Sequence, residues 1–362
     1  MKIMQVIPYF GLAGAEVMCM SLSLELKKEG NEVIVVSLYN KHTPLTSKLE
    51  KNGIKVIYLN KKRGLDLNMI IQLKKLFNQY RPDVVHSHLD TLKYCSIAEA
   101  MTNIKVRIHT VHNVAQKEAV GIAKKINNFA YHRLNVTPVA LSDEVNKTIA
   151  TYYNLDATSI PTIFNGVDLT DCNKKQDYNL TDQTLKIINV ARFSEQKNQE
   201  MLIDCATSLI KENYRIHVYF VGDGEKLELM KKKVENLGIK DYVTFCGQQS
   251  NVHAFLEKSD VFILPSHYEG MPMSIIEAMG TGLPVIATRV GGIPSMIKNE
   301  ESGILINDDL NELIDAVKKI FNKKLREKLG ENAYVIANKK FSAVSMTKAY
   351  SELYKNIMLR SH

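Results

Sequence analysis

A chain of 362 residues, 45% hydrophobic and 24% charged, suits two globular domains in water better than one. No apolar run approaches the roughly 18 residues of a bilayer span, which excludes a transmembrane helix on sequence grounds. The net charge of +8 sits mostly in the first half: residues 1–168 carry 21 Lys and Arg against 14 Asp and Glu, and the remainder 26 against 25.

Hydrophobic patterning predicts strands over 2–7, 32–38, 55–59, 83–88, 106–111 and 136–141, with amphipathic helices between most of them, for example 15–28 and 67–79. The pattern then restarts, with strands over 185–192, 215–222, 242–247, 260–266 and 284–288. Residues 169–184, polar and unpatterned, are read as a linker, and a helix over 342–358 closes the chain. Strands alternating with helices predict α/β architecture: two doubly wound, Rossmann-like domains, 1–168 and 169–341, facing across a cleft, with ligands at the carboxyl ends of the strands.

The apolar stretch 3–15 ends in Ala13-Gly14-Ala15, like a signal-peptide cleavage site. Only Lys2 precedes it, however, and Gln5 and Pro8 interrupt it, so it is read as the first strand and loop. The five cysteines are odd in number, widely spaced and without zinc spacing, which points to a reducing cytosol. The basic first half suits an anionic membrane or a phosphorylated lipid substrate, or serves solubility alone. Nucleic acid is not an expected partner, since no binding motif is present.

The candidate chemistry lies just after strands. Ser266–Thr288, SHYEGMPMSIIEAMGTGLPVIAT, places Glu269 in a loop and Glu277 inside the helix that follows, a layout that can grip hydroxyls beside a helix start. Arg192 and Lys197 sit in a loop ahead of a helix, where two cations can straddle a diphosphate. Hydrogen bonds to charged groups, at about 1.5–3 kcal/mol each, outweigh the helix terminus at about 0.3–1 kcal/mol. Gly11 and Gly14 in PYFGLAGAE let backbone approach an oxygen-rich ligand. The dinucleotide fingerprint G-x-G-x-x-G is absent, and no acid ends the second strand to hold a ribose, which argues against an NAD enzyme. His86, His88, His109 and His112 end two strands, and His112 reaches furthest into its loop. No carboxylate cluster accompanies them to suggest a metal. VGDG at 221–224, NGVD at 165–168 and Gly291-Gly292 are glycine turns that serve either structure or ligand approach.

Together these segments resemble the family-4 retaining glycosyltransferases of GT-B architecture, over essentially the whole chain. The paired-glutamate segment is the most specific part, and ARFSEQKN, VGDG, NGVD and AGAE corroborate it. The resemblance implies that Glu269 holds donor-sugar hydroxyls, aided by backbone N–H groups at Gly270, Met271 and Met273. It implies that Glu277 binds the ribose and that Arg192 and Lys197 neutralise the diphosphate, with Gly14 approaching it from the other domain. His112 would contact the donor sugar, and the base would lie near Gly222 and 247–252, which ends in Val252. The last helix would return to the first domain. One departure is Ala13, where the family often has a second glycine.

The implied reaction moves a hexose or N-acetylhexosamine from a nucleotide-diphosphate sugar, UDP by analogy, to a glycan or lipid-linked acceptor in surface polysaccharide synthesis. Configuration is retained, the departing phosphate takes the acceptor's proton, and no metal or other cofactor is expected because the cations supply the charge. Placement is cytoplasmic, with peripheral contact at the inner membrane face. The alternatives are a nucleotide-sugar epimerase of the same architecture and a non-catalytic sugar-nucleotide sensor.

Overall fold

The computed structural model describes residues 1–11, 13–170, 172–249 and 251–360. Leu12 of the glycine loop, Asp171 of the expected linker and Ser250 of the expected base-facing segment lie outside the described residues.

The first unit comprises Met1–Asp168 and Ser342–His362. Its strands β1 (Lys2–Ile7), β2 (Glu32–Ser37), β3 (Lys55–Tyr58), β4 (Val84–His88), β5 (Val106–Val111) and β6 (Thr137–Ala140) form one parallel sheet in the order β3-β2-β1-β4-β5-β6. Helices cover both faces, so the strands read as near-continuous apolar runs. On one side Met4, Val6, Ile34, Val36 and Val85 pack against Leu73, Phe77 and Tyr94. The closing helix, Ala343–Arg360, belongs to this unit and buries Tyr350 and Tyr354 completely. The outgoing and returning chain pair where they pass, Ala343 N–H donating to the Val167 carbonyl at 2.8 Å. Of the stretch 3–15, the residues up to Ile7 belong to β1, and Gly14 and Ala15 open the first helix.

The second unit is Leu169–Phe341. Strands β7 (Leu185–Val190), β8 (Ile216–Val221), β9 (Val243–Phe245), β10 (Val261–Leu264), β11 (Val285–Thr288) and β12 (Ile304–Ile306) form a parallel sheet in the order β12-β11-β10-β7-β8-β9. Counted from its own first strand, this is the same winding as in the first unit. Each sheet therefore has a switch point where the strand order reverses, β1/β4 in one and β7/β10 in the other.

Strand β12 is absent from the sequence reading. The expected linker is also no free linker. Tyr178, 3% exposed, donates its hydroxyl to the Gly282 carbonyl at 2.8 Å. Its own carbonyl accepts from Arg326 Nη2 at 2.7 Å, and Lys175 pairs with Asp260 at 3.3 Å. The polar composition that suggested a tether reflects hydrogen bonds onto the unit's own surface. Among the described residues no helix is long and apolar enough to cross a membrane.

Candidate active site

Both switch points carry the residues singled out in the sequence. In the second unit, β7 leads into a loop through Arg192, a short 3₁₀ turn over Glu195–Lys197, and the helix Gln199–Lys211, which Asn198 caps from a left-handed backbone with its side chain accepting from the Met201 N–H. The neighbouring strand β10 leads into Ser266 and Glu269. Lys197 Nζ crosses between the two loops to Glu269 Oε1 at 2.5 Å, with side chains only 19% and 5% exposed. Ser266 Oγ donates to the same oxygen at 2.7 Å, and Gln196 Nε2 approaches Oε2 at 3.4 Å. Gln196 also donates to the Tyr268 carbonyl, so two residues given no role in the sequence reading, Ser266 and Gln196, orient the glutamate loop.

Arg192 does not share that pocket of charge. Its Nη2 pairs with Glu225 at 3.0 Å on an exposed surface. Each of the two cations expected at the diphosphate thus has a carboxylate partner, Glu269 for Lys197 and Glu225 for Arg192. The sequence reading missed Glu225 because it lies 33 residues away, directly after VGDG.

Glycine geometry sets the loop. Gly291 has φ +51°, and a Cβ there would stand 1.7 Å from the Glu269 carbonyl oxygen. The adjacent Gly292 N–H donates to the Gly270 carbonyl at 2.8 Å. Gly291-Gly292 is thus the seat of the Glu269–Gly270 backbone, and only glycine permits that approach. Met271 and Met273 are buried, and the helix Met273–Gly280 begins at Met273. Glu277 lies one turn in. The residue keeps some surface in solvent, yet its carboxyl is packed deeply, has no hydrogen-bond partner among the described residues, and is pushed by burial up to about 7. Gly222, at φ +144°, would drive a Cβ to 2.0 Å from the Ala191 carbonyl oxygen, and its N–H donates to the Gly247 carbonyl at 2.9 Å. This joins VGDG to the segment ending at Val252, which precedes the short helix His253–Glu257.

In the first unit the histidines form a chain. Gln5 Oε1 on β1 faces His88 Nε2 at 2.8 Å, and His88 Nδ1 faces His112 Nε2 at 3.0 Å. Burial lowers the His88 pKa well below its usual range and that of His112 to about 4, so both rings are neutral at pH 7. With the Gln5 oxygen placed toward His88, each ring carries its proton on Nε2, and His112 Nδ1 keeps the lone pair. Glu118, absent from the sequence reading, accepts from the His112 and Asn113 N–H groups at 2.6 and 2.9 Å, and its other oxygen lies 3.5 Å from His109 Nε2. His86 is spent structurally, between Tyr354 and Thr110 at 2.7 Å each. Gly14 opens the helix Gly14–Lys28, with Glu16 buried in the first turn. Burial raises its carboxyl, opposed by its own and Gly11's N–H groups. Among the described residues no group of three or more His, Cys, Asp or Glu side chains is arranged to hold a metal ion.

The family model for Glycosyltransferase Family 4 matches residues 12–171, and that for Glycosyl transferases group 1 matches 172–335. An uncharacterised glycosyltransferase, MJ1178 of Methanocaldococcus jannaschii, is 30% identical over 315 residues, which cover 82% of this chain and 84% of that protein. The chain belongs to glycosyltransferase family 4. This glycosyltransferase is also 27% identical over 311 residues, 81% of the chain and 80% of the relative, to the UDP-Gal:alpha-D-GlcNAc-diphosphoundecaprenol alpha-1,3-galactosyltransferase of Escherichia coli. Its fold matches that of Anabaena HepE, solved with UDP and glucose, at a TM-score of 0.86 and 18% identity over 98% of this chain and all of that one. The two Rossmann-like sheets are those of the GT-B glycosyltransferases, as the motifs implied.

Proposed function

We propose that this glycosyltransferase moves a hexose or N-acetylhexosamine from a UDP-sugar to a glycan or lipid-linked acceptor in surface polysaccharide synthesis, with retention of configuration and no metal. The observation that carries this reading is the Lys197–Glu269 pair at the switch point of the second sheet. It puts a cation and a hydroxyl-binding carboxylate in contact at the place where such sheets bind ligands. The donor's diphosphate displaces the carboxylates from Lys197 and Arg192, and Glu269, freed of its ammonium, turns to sugar hydroxyls. Glu277 takes the ribose, Gly222 and the segment to Val252 flank the base, and the N–H groups of Gly270, Met271 and Met273 face the sugar. Positive charge then stabilises the departing diphosphate, which accepts the acceptor's proton. On the first unit's side Gly14 approaches the diphosphate, and neutral His112 presents an acceptor lone pair to a sugar hydroxyl.

The UDP in the HepE complex supports uracil as the base, and the diphosphoundecaprenol acceptor of the E. coli relative supports a lipid-linked acceptor. The excess of basic residues over 1–168 supports cytoplasmic action with peripheral contact at an anionic membrane face.

The test is turnover of a panel of UDP-sugars, with the anomeric configuration of the product read by NMR. Retained configuration and turnover unchanged after dialysis against EDTA are expected. Arg192→Ala and Lys197→Ala should each lower turnover roughly 10²-fold. An inverted product, loss of activity with EDTA, or an epimer formed from the donor alone would overturn the reading.

A further inference from the structure

The carboxyl ends of β1, β2 and β3 in the first unit surround an open cavity of about 690 Å³, for which the donor reading above has no use. Three cations line it, Lys41, Lys61 and Arg63, together with Tyr9 and Tyr39. Its volume is that of a site for a small ligand such as a sugar phosphate. It occupies the same edge of the sheet as His112, on the other side of the β1/β4 switch point.

The unusual member is Lys61. Its residue is 8% exposed, and its ammonium is bound by the Tyr39 hydroxyl at 3.0 Å and by the carbonyls of Lys62 and Gly64 at 2.9 and 2.6 Å. It lies over the rings of Tyr39 and Tyr94. Those groups satisfy three N–H bonds but carry no negative charge. Burial works against the ammonium, yet the Tyr39 bond and the two tyrosines hold its pKa above the usual lysine value. Among the described residues none of Lys41, Lys61 and Arg63 joins an ion pair, as holds for most Lys and Arg side chains of this unit, and what sets Lys61 apart is its burial. Asp66, close in sequence, is taken up by the N–H groups of Lys62 and Asn68. The half-buried lysines of the second unit, Lys175 and Lys197, each have a carboxylate. A cation withdrawn from water without a counter-charge is costly to fold around. Together with the exposed Lys41 and Arg63, Lys61 puts three positive charges at one strand edge, a field that an incoming anion would neutralise.

We propose that this cavity is the anionic subsite of the acceptor and takes a sugar bearing a phosphate or diphosphate. Lys41 and Arg63 bind the phosphoryl oxygens directly, Lys61 contributes its uncompensated field, and the sugar lies against Tyr9 and Tyr39, whose rings stand edge to face with centroids 6.4 Å apart. The inference rests on the transferase reading, since only a transferase has an acceptor. The phosphate comes either from a soluble sugar phosphate or from the head of a lipid-linked sugar.

Isothermal titration of the whole protein, with UDP present in excess to occupy the donor site, separates these cases. The probes are glucose, α-glucose 1-phosphate, and N-acetylglucosamine linked through a diphosphate to a short prenyl chain. Lys61 also holds its loop, so the variant is Lys41→Ala/Arg63→Ala, which removes two exposed side chains. Binding of one or both phosphorylated probes but not of glucose, weakened about tenfold or more in the variant, is expected. Binding of both assigns the recognition to the phosphate itself, and binding of the prenyl-linked probe alone assigns it to a lipid-borne head. Thermal stability and UDP affinity should not change in the variant. Equal affinity for glucose, unchanged affinity in the variant, or no binding of either phosphorylated probe overturns the proposal. The phosphorylated probes report on the cavity whether or not UDP binds, so a failure of UDP to bind counts against the transferase reading alone.

Discussion

Lys197 Nζ lies 2.5 Å from Glu269 Oε1, and this one contact ties the loop after β7 to the loop after β10. The pair is at once a structural strap and the pair of groups proposed to meet the donor. Its two roles separate experimentally.

Lys197→Met leaves the Glu269 carboxylate buried with only its Ser266 and Gln196 contacts. Removing one partner of a buried pair costs about 3–5 kcal/mol, so the unfolding temperature should fall clearly. In Lys197→Met/Glu269→Gln the uncompensated charge is gone and much of that loss should return, while turnover stays roughly 10²-fold down. Thermal unfolding and turnover on the same three proteins check this. A double variant as unstable as the single one would refute it.

Gly291→Ala places a methyl group against the Glu269 carbonyl in a left-handed backbone. The conformation alone costs about 1–2 kcal/mol, and the contact adds to it. The glutamate loop must shift, so donor affinity should fall together with the melting temperature. Wild-type UDP affinity in this variant would show that the seat does not set the site.

Glu277 gives a pH signature. Its carboxyl, pushed up to about 7, is about half protonated at neutral pH in the free protein. Ribose hydroxyls donate to the ionised form and favour it, so UDP binding should release a proton. Affinity should rise between pH 6 and 8 and then level off. Titration in buffers of different ionisation enthalpy measures that proton, and Glu277→Gln should bind more weakly with no such slope.

Glu99 makes the same argument for stability. It is fully buried in the first unit, neither carboxyl oxygen has a hydrogen-bond partner among the described residues, and burial raises its pKa from the ordinary 4.5 to about 8. Between those values the unfolded chain has lost the proton and the folded one has kept it. Stability therefore falls as pH rises, by at most about 1.4 kcal/mol per unit, with the contribution present below 4.5 and lost above 8. Denaturant titrations of wild type and Glu99→Gln from pH 5 to 8 should diverge in favour of the variant. Parallel curves would remove the assignment.

Much of the fold was legible because parallel strands buried on both faces write themselves as apolar runs, and β1 and β5 end where the pattern ends. The positions after strands were legible for the same reason, since Arg192, Lys197 and Glu269 fall where a sheet of this kind exposes its loops. Pairing was not. Nothing local distinguishes Glu225 or Glu118 from other surface acids, and their roles arise from contacts over 33 residues in one case and from a two-N–H cradle in the other. The chain of Gln5, His88 and His112 spans three strands whose adjacency is a property of the winding. The docked segment around Tyr178 was misread because polarity that satisfies backbone groups looks the same as polarity that faces water.

The bond from His86 to Tyr354 spans 268 residues. The ribosome makes the whole second unit before it makes the helix that covers this histidine. A nascent chain can complete its second unit while the first still waits for its final piece, so translation itself orders the assembly of the two halves.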